Sequence, residues 1–483
     1  MAFTRGTVIR SFIWKFLERI SAQLIQFIVT IVLARLLLPS EYGVIALITV
    51  FIALCGVIID GGFNTALIQK KNADNLDFST IFIFSIGLSI LIYAIMFFCA
   101  PLISKFYEQS ELVSVIRILS LSLPFFAINS IQRAFVSKKM LFKRLFYSSL
   151  GAIIVSGAIG IIMAYNGYGV WALVAQSLSS QIVTTVIMWY TVRWRPIFQF
   201  SLTRFKGLFN YGWKIFGANF ITTLFINARK LVIGKFFTPA SLACYEKGGH
   251  LPSMVVDNVF SSIQTILLPT LSDSQDNRER VKSMMRRSTR LSCFIIYPLM
   301  MLMIVSAKPL VILLLTDKWI GAVPFVQILS ISYFFRPITI ANWETIKALG
   351  YSGITLKLEV LKKIVDITIL VISACIGVYA IAWGCVLFNA VCVIINLAPN
   401  KKLLNYGVGE QILDAVPTLV FSLIAGAGAY FVLLLHIHNF WILVVQAVLL
   451  GLVYFGLSYL FKEESFLYIK QIIIDNIGKI KIH

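Results

Sequence analysis

A chain of 483 residues with 59% hydrophobic side chains, 13% charged ones and a mean hydropathy of +0.88 is not an ordinary water-soluble protein. Soluble domains carry about 45–50% apolar and about 25% charged residues. The few charges are unbalanced, 42 Lys+Arg against 21 Asp+Glu, for a formal +21. On a soluble chain that excess would suggest nucleic acid; on one this apolar it points to the cytoplasmic face of a membrane and to no nucleic-acid partner.

A bilayer core of about 30 Å takes about 20 helical residues per crossing. That length places spans near 12–36, 43–69, 79–103, 112–136, 147–166, 169–192, 208–232, 241–268, 291–315, 322–346, 358–377, 379–398, 412–435 and 440–461. The runs are long and continuously apolar, so they read as helices; barrel strands would be about ten residues of alternating character. The expected fold class is therefore all-α, a polytopic membrane protein of about fourteen transmembrane helices. The first run contains Lys15, Glu18 and Arg19 and ends in Pro39-Ser40-Glu41 with no small-residue cleavage site, so it reads as a span and not as a cleavable signal peptide.

With the N-terminus inside, the inner connections collect Arg5, Arg10, Lys70, Lys71, Lys138, Lys139, Lys143, Arg144, the basic residues of 193–206 and 278–290, Lys401, Lys402, Lys462, Lys479 and Lys481. The outer connections receive only Lys105, Lys235 and Lys318. The positive-inside rule then expects a multi-pass membrane protein with both termini cytoplasmic. The segment 272–290 holds acids first (Asp273, Asp276, Glu279), then Arg280, Lys282, Arg286, Arg287 and Arg290 around Val281, Met284 and Met285. It reads either as a short amphipathic helix on anionic headgroups or as a solvated loop.

The chain also repeats itself. Ile118-Leu119-Ser120-Leu121-Ser122 returns as Ile328-Leu329-Ser330-Ile331-Ser332, Gly169-Val170-Trp171-Ala172-Leu173 as Gly377-Val378-Tyr379-Ala380-Ile381, and Trp14-Lys15 as Trp213-Lys214. The nearly constant offset predicts two six-helix lobes, 1–200 and 201–400, followed by a helix pair and cytoplasmic tail over 401–483. Six spans begin and end on one side, so the repeat is parallel and a substrate path at the lobe interface is expected.

Charges inside spans are costly, at least about 2.5–3.5 kcal/mol at a helix centre, and normally face protein or water. Lys15 and Arg19, four apart on the first span, share a face with Gln23 and Gln26, with Glu18 beside them; Lys214 and Arg229 lie on the seventh, and Arg336 on the tenth. Lys15, Arg19, Lys214, Arg229 and Arg336 are the candidates for a cationic cavity that takes an anionic substrate. Arg117, Arg133, Lys247, Lys308, Lys362 and Lys363 lie near span ends and read as snorkelling. Glu18, Asp60 and Asp366 are candidate proton or cation sites, with a structural pairing to a nearby Lys or Arg as the equal alternative. No metal or other cofactor is expected, although a proton or sodium gradient is a candidate driving force. The seven cysteines read as small packing residues, and His436 and His438 as turn residues. Asp74 and Asp77 read as a helix cap or a solvated turn before a metal motif.

Several stretches carry a resemblance. Leu33-Ala34-Arg35-Leu36-Leu37-Leu38-Pro39-Ser40-Glu41-Tyr42-Gly43, Gly61-Gly62-Phe63, Ala66-Leu67-Ile68-Gln69, Ile131-Gln132-Arg133-Ala134, Leu231-Val232-Ile233-Gly234-Lys235-Phe236 and Pro269-Thr270-Leu271-Ser272 resemble the polysaccharide transporter family of the multidrug/oligosaccharidyl-lipid/polysaccharide exporter superfamily. The nearest flavour is the Wzx-type flippase with its colanic-acid exporters. The resemblance implies a MATE-like fold, a location in the bacterial inner membrane, and transfer of an undecaprenyl-diphosphate-linked oligosaccharide, for lipopolysaccharide or exopolysaccharide synthesis, alongside polysaccharide polymerase or assembly proteins. Where the family pattern has Asn-x-Asp, this chain has Asn227-Ala228-Arg229, which adds a cation and weakens the transfer of an ion-coupling site. The expectation is a transporter and not an enzyme. A membrane glycosyltransferase or polymerase on the same lipid carrier is disfavoured by the short outer connections, and a small-molecule exporter of the superfamily by the excess of interior cations.

Overall fold

The computed structural model describes residues 5–435 and 437–480. His436 and Lys481 lie outside the described residues. In chain order the helices are α1 (Arg5–Leu36), α2 (Pro39–Asp60), α3 (Phe63–Gln69), α4 (Asn75–Tyr107), α5 (Leu112–Leu119), α6 (Ser122–Lys138), α7 (Phe142–Tyr165), α8 (Val170–Thr191), α9 (Leu202–Phe236) and α10 (Pro239–Ser272). They continue as α11 (Arg278–Val305), α12 (Ala307–Leu315), α13 (Val323–Ser332), α14 (Arg336–Ala348), α15 (Ser352–Ile376), α16 (Val378–Leu404), α17 (Val408–Tyr430), α18 (Asn439–Leu460) and α19 (Glu464–Ile480).

Among the described residues, twelve helical segments are long and apolar enough to cross a bilayer. The two further predicted spans, 208–232 and 358–377, fall on α9 and α15, continuous helices of 35 and 25 residues. Both have the length to cross; they differ from the twelve by the charges they carry, Lys214, Arg229 and Lys230 on one and Glu359, Lys362, Lys363 and Asp366 on the other.

Four predicted spans are broken helices. The run 43–69 divides into α2 and α3 because Gly61 and Gly62 take φ of +52° and +72°, a conformation that ends a helix and suits glycine. The break is also a close approach: a Cβ on Gly62 would lie 2.3 Å from the carbonyl oxygen of Gly212 on α9. Within 112–136 the chain breaks at Ser120 and Leu121, between α5 and α6; within 322–346 a 3-10 turn over Tyr333–Phe335 separates α13 from α14. These two breaks fall in or directly after the repeated Ile-Leu-Ser motifs. The fourth lies at Ser306, between α11 and α12.

The chain divides into two compact units, Met1–Ala243 and Cys244–His483. In the first, α7 and α8 form a hairpin with α1 laid along α7, while α9 packs on α2, α3 and α4. The seventh predicted span, counted by the repeat with the second half, thus packs within the first unit. The core here is aromatic: the Trp194 ring stacks on Phe135 at 5.8 Å and meets Phe78 edge-on at 6.0 Å. In the second unit α11 is central, packed by α13, α14 and α17, with α18 and α19 behind it. Exposed Phe98, Ile376 and Leu452 belong to a surface that lipid, not water, would cover.

The segment 272–290 is a turn over 273–277 followed by the start of α11, not a separate surface helix. Asn277 caps α11, its side-chain oxygen accepting the Arg280 N–H at 3.0 Å, and the basic residues form the first turns of a helix that continues to Val305. Beyond the last span, α19 is an amphipathic helix within the predicted tail.

Candidate functional site

The first-unit candidates on α1 lie where that helix packs along α7. Lys15 donates to Glu18 at 2.7 Å, one turn along α1, and the other Glu18 oxygen accepts from Ser149 of α7 at 3.0 Å. The Lys15 ammonium is half exposed and lies 5.9 Å from the Phe142 ring centre. Arg133 of α6 is exposed and feels the charge of the same Glu18. Glu18 thus holds Lys15 in contact and lies within electrostatic reach of Arg133, and exposed Arg19 stands a further turn along α1. The fold brings Arg133, read from the sequence as a snorkelling side chain, within electrostatic reach of the acid that pairs with Lys15. Its neighbour Gln132 is fully buried, and neither polar atom of its carboxamide has a hydrogen-bond partner among the described residues. The motif Ile131-Gln132-Arg133-Ala134 was the signal for both.

Asp60 sits at the α2–α3 break. Its carboxylate accepts from Ser130 of α6 at 3.0 Å and from Asn64 of α3, and no Lys or Arg pairs with it among the described residues. Close by on α6, Asn129 donates to the Gln181 backbone and side chain on α8, both at 3.1 Å, and accepts from Thr185 at 2.9 Å. These neutral polar groups drew no attention in the sequence, since Ser, Asn and Gln in a span signal function only once their facing partners are known.

On α9, Lys214 is exposed and has no hydrogen bond or ion pair among the described residues. Arg229 is half-buried, and Asn227 satisfies itself by donating to the Thr223 carbonyl at 2.9 Å. In the second unit Arg336 is paired with Asp257 at 2.7 Å, its guanidinium 5.7 Å from the Phe260 ring and 5.6 Å from that of Tyr333. Asp366 is buried on α15, within electrostatic reach of Cys392 of α16. Glu344, also buried, accepts from Lys347 at 3.2 Å and Gln264 at 3.4 Å.

Asp74, Asp77 and His438 serve the fold. Asp74 caps α4 by accepting from the Asp77 N–H at 3.0 Å, while Asp77 accepts from the Asp74 N–H at 3.1 Å. Asp77 is fully buried between Lys70 at 2.7 Å and Arg204 at 3.1 Å, and the adjoining carboxylates raise the affinity of Arg204 for its proton. Lys138 donates to the Leu67 and Ile68 carbonyls at the end of α3, each at 3.0 Å. His438 caps α18 by accepting the Phe440 N–H. Among the described residues no three His, Cys, Asp or Glu side chains come together as metal ligands.

Comparison with known proteins agrees with this architecture. The succinoglycan biosynthesis transport protein ExoT of Rhizobium meliloti (strain 1021) is 24% identical over 334 residues, 68% of this chain and 66% of that protein. The lipopolysaccharide biosynthesis protein WzxC of Escherichia coli (strain K12) is 22% identical over 406 residues, 82% of each chain. Among solved structures, the lipid II flippase MurJ in an inward closed conformation superposes with a TM-score of 0.74 at 15% identity, covering 94% of this chain and 99% of that one. An inward-facing multidrug resistance MATE family transporter of the MOP superfamily gives 0.57 at 13% identity, over 81% and 98%. The fold is thus that of MurJ and the MATE transporters. A model of the polysaccharide biosynthesis protein family matches residues 32–324, more than half of the chain, and the protein belongs to that family.

Proposed function

We propose that the protein is a flippase that carries an undecaprenyl-diphosphate-linked oligosaccharide repeat unit from the cytoplasmic to the periplasmic leaflet of the bacterial inner membrane by alternating access. The observation that carries the reading is the exposed group of cations Lys15, Arg19 and Arg133 near Glu18, on a chain otherwise built for lipid. The diphosphate would engage Lys15, Arg19, Arg133, Lys214 and Arg229 through charge-assisted hydrogen bonds, and Arg336, paired with Asp257, is the candidate of the second unit. Arginine offers a planar fork that matches a phosphate, where lysine is a point charge. Both termini are assigned to the cytoplasm because the basic connections lie on one side. Asp60, which has two neutral donors and no Lys or Arg partner among the described residues, is the strongest of the candidate ion or proton sites, ahead of Glu18 and Asp366.

The test is complementation of a strain lacking the gene, read as surface polysaccharide. Lys15→Ala with Arg19→Ala is expected to abolish it while the protein still reaches the membrane; normal polysaccharide would remove the cationic site from the mechanism. The leaflet on which lipid-linked repeat units accumulate in the deletion strain separates flipping from polymerisation. Build-up on the cytoplasmic leaflet is expected, and build-up on the outer leaflet would make the protein a polymerase or ligase partner.

A further inference from the structure

The basic start of α11 opens onto a groove that the flippase reading leaves unused. A cavity of about 460 Å³ is lined by Arg286, Arg287 and Arg290 of α11 and by Ser465 and Tyr468 of α19. Beyond it lies an almost wholly apolar cavity of about 670 Å³, walled by Ile295 and Leu299 of α11, Gly451 and Phe455 of α18, and Phe466 and Ile469 of α19. A third cavity joins them, sharing Arg287, Leu291 and Tyr468 with the first and Ile295 and Ile469 with the second. Along α11 the positions Arg287, Leu291, Ile295, Leu299 and Leu302 follow one face at helical spacing, a track of about 22 Å at 1.5 Å per residue. That exceeds the roughly 15 Å depth of one leaflet's hydrocarbon, so a single extended acyl chain fits along it.

The charges at the mouth decide what the headgroup must be. Arg286 and Arg290 are held by buried Asp414, and Arg290 also by Glu464. Glu463 is turned into the start of α19, accepting the Phe466 N–H at 2.8 Å. Arg287 is exposed, its guanidinium 4.6 Å from the Tyr468 ring centre, and it has no carboxylate partner among the described residues. Three guanidiniums thus face two carboxylates, which leaves one fork open for one anion. A phosphodiester of single negative charge matches it; a diphosphate would crowd Glu464 with surplus charge.

We propose that the α11–α18–α19 groove is a binding site for a resident anionic phospholipid, its phosphodiester held by Arg287 and its acyl chain lying on the apolar wall. The chemistry is that of a basic pocket beside membrane helices recognising a lipid headgroup. Native mass spectrometry of the purified full-length protein, with phosphatidylglycerol and phosphatidylcholine of identical chains supplied in equal amounts, tests it. Wild type should retain the glycerol lipid preferentially. Arg287→Ala should lower that retention about tenfold, the effect of losing one charge-assisted fork, and lower retention of the choline lipid less, because its own ammonium already neutralises the phosphodiester. Arg287→Lys, which keeps the charge but not the fork, should fall between, and serves if the alanine variant does not fold. Gly451→Leu should reduce retention of both lipids, because its Cβ would enter open space in the groove with nothing within 4 Å. Equal retention of the two lipids by wild type, or an unaltered preference in Arg287→Ala, would overturn the proposal. So would displacement of phosphatidylglycerol by undecaprenyl diphosphate at a lower concentration than by phosphatidylglycerol itself, since the groove would then belong to the transported lipid. None of these readings depends on transport, so the site and the flippase assignment fail separately.

Discussion

Arg286 forks onto Asp414, its Nε and Nη2 each 2.8 Å from a different carboxylate oxygen, and Arg290, one turn further along α11, donates to the same group. Tyr406 completes the site with its hydroxyl 2.5 Å from Asp414. Burial, and then the neighbouring carboxylate, push the Tyr406 phenol above its ordinary pKa, so it remains a neutral donor. The carboxylate is almost entirely buried, and it ties the first turns of α11 to α17.

Removing that carboxylate strands two guanidiniums. Breaking a buried ion pair from one side costs about 3–5 kcal/mol; because Arg286 is partly exposed, about 3 kcal/mol is expected for Asp414→Ala, with Tyr406→Phe costing about 1.5 kcal/mol as one hydrogen bond to a charged group. Thermal unfolding in detergent checks both. A Asp414→Ala protein as stable as wild type would show that the fork contributes nothing to the fold.

The α2–α3 break predicts a second result. Gly62→Ala places a methyl 2.3 Å from the Gly212 carbonyl oxygen, a collision with backbone that no rotamer relieves, at a φ of +72°. Complementation and membrane yield should both fall. Gly207→Ala, on the same helix as Gly212 but with nothing within 4 Å of the added carbon, is the control and should be silent.

Asp60→Asn removes charge at nearly constant size. Because Ser130 and Asn64 both donate to this group, an amide that keeps one oxygen can retain part of the network, and thermal stability should change by less than about 1 kcal/mol. If Asp60 couples transport to an ion, flipping in vesicles should lose its dependence on an imposed gradient. Unchanged dependence would leave Asp60 a structural pin of the break.

Arg133 should behave as a member of the α1 cluster. Arg133→Ala is expected to depress surface polysaccharide as Lys15→Ala does, and Arg133→Lys to restore it only in part, because the fork is lost while the charge remains. Full activity in Arg133→Ala would return the residue to the snorkelling group.

Most of the span pattern was legible because an apolar run of bilayer length has few alternatives to a helix. Gly61-Gly62 announced its break through residue type, and Asp74-x-x-Asp77 its cap through spacing. The interior pairings were not legible. Nothing in the order of residues says that Ser149 of α7 reaches Glu18, that Arg290 meets Glu464 at a separation of 174 positions, or that the basic stretch before 290 turns inward to Asp414 instead of lying flat on headgroups.

By itself, then, the sequence determined solvent, helix type, repeat and the sidedness expected from its charges, all of which follow from composition and local spacing. Tertiary structure alone decided which charged groups are neutralised. Asp257 takes Arg336, Glu18 takes Lys15 within electrostatic reach of Arg133, and Arg287 lies beside the Tyr468 ring with no carboxylate partner among the described residues. The reason is physical: the energy of a charge in a membrane protein depends on the distance to a counter-charge on another helix, and that distance is a property of packing and not of sequence order.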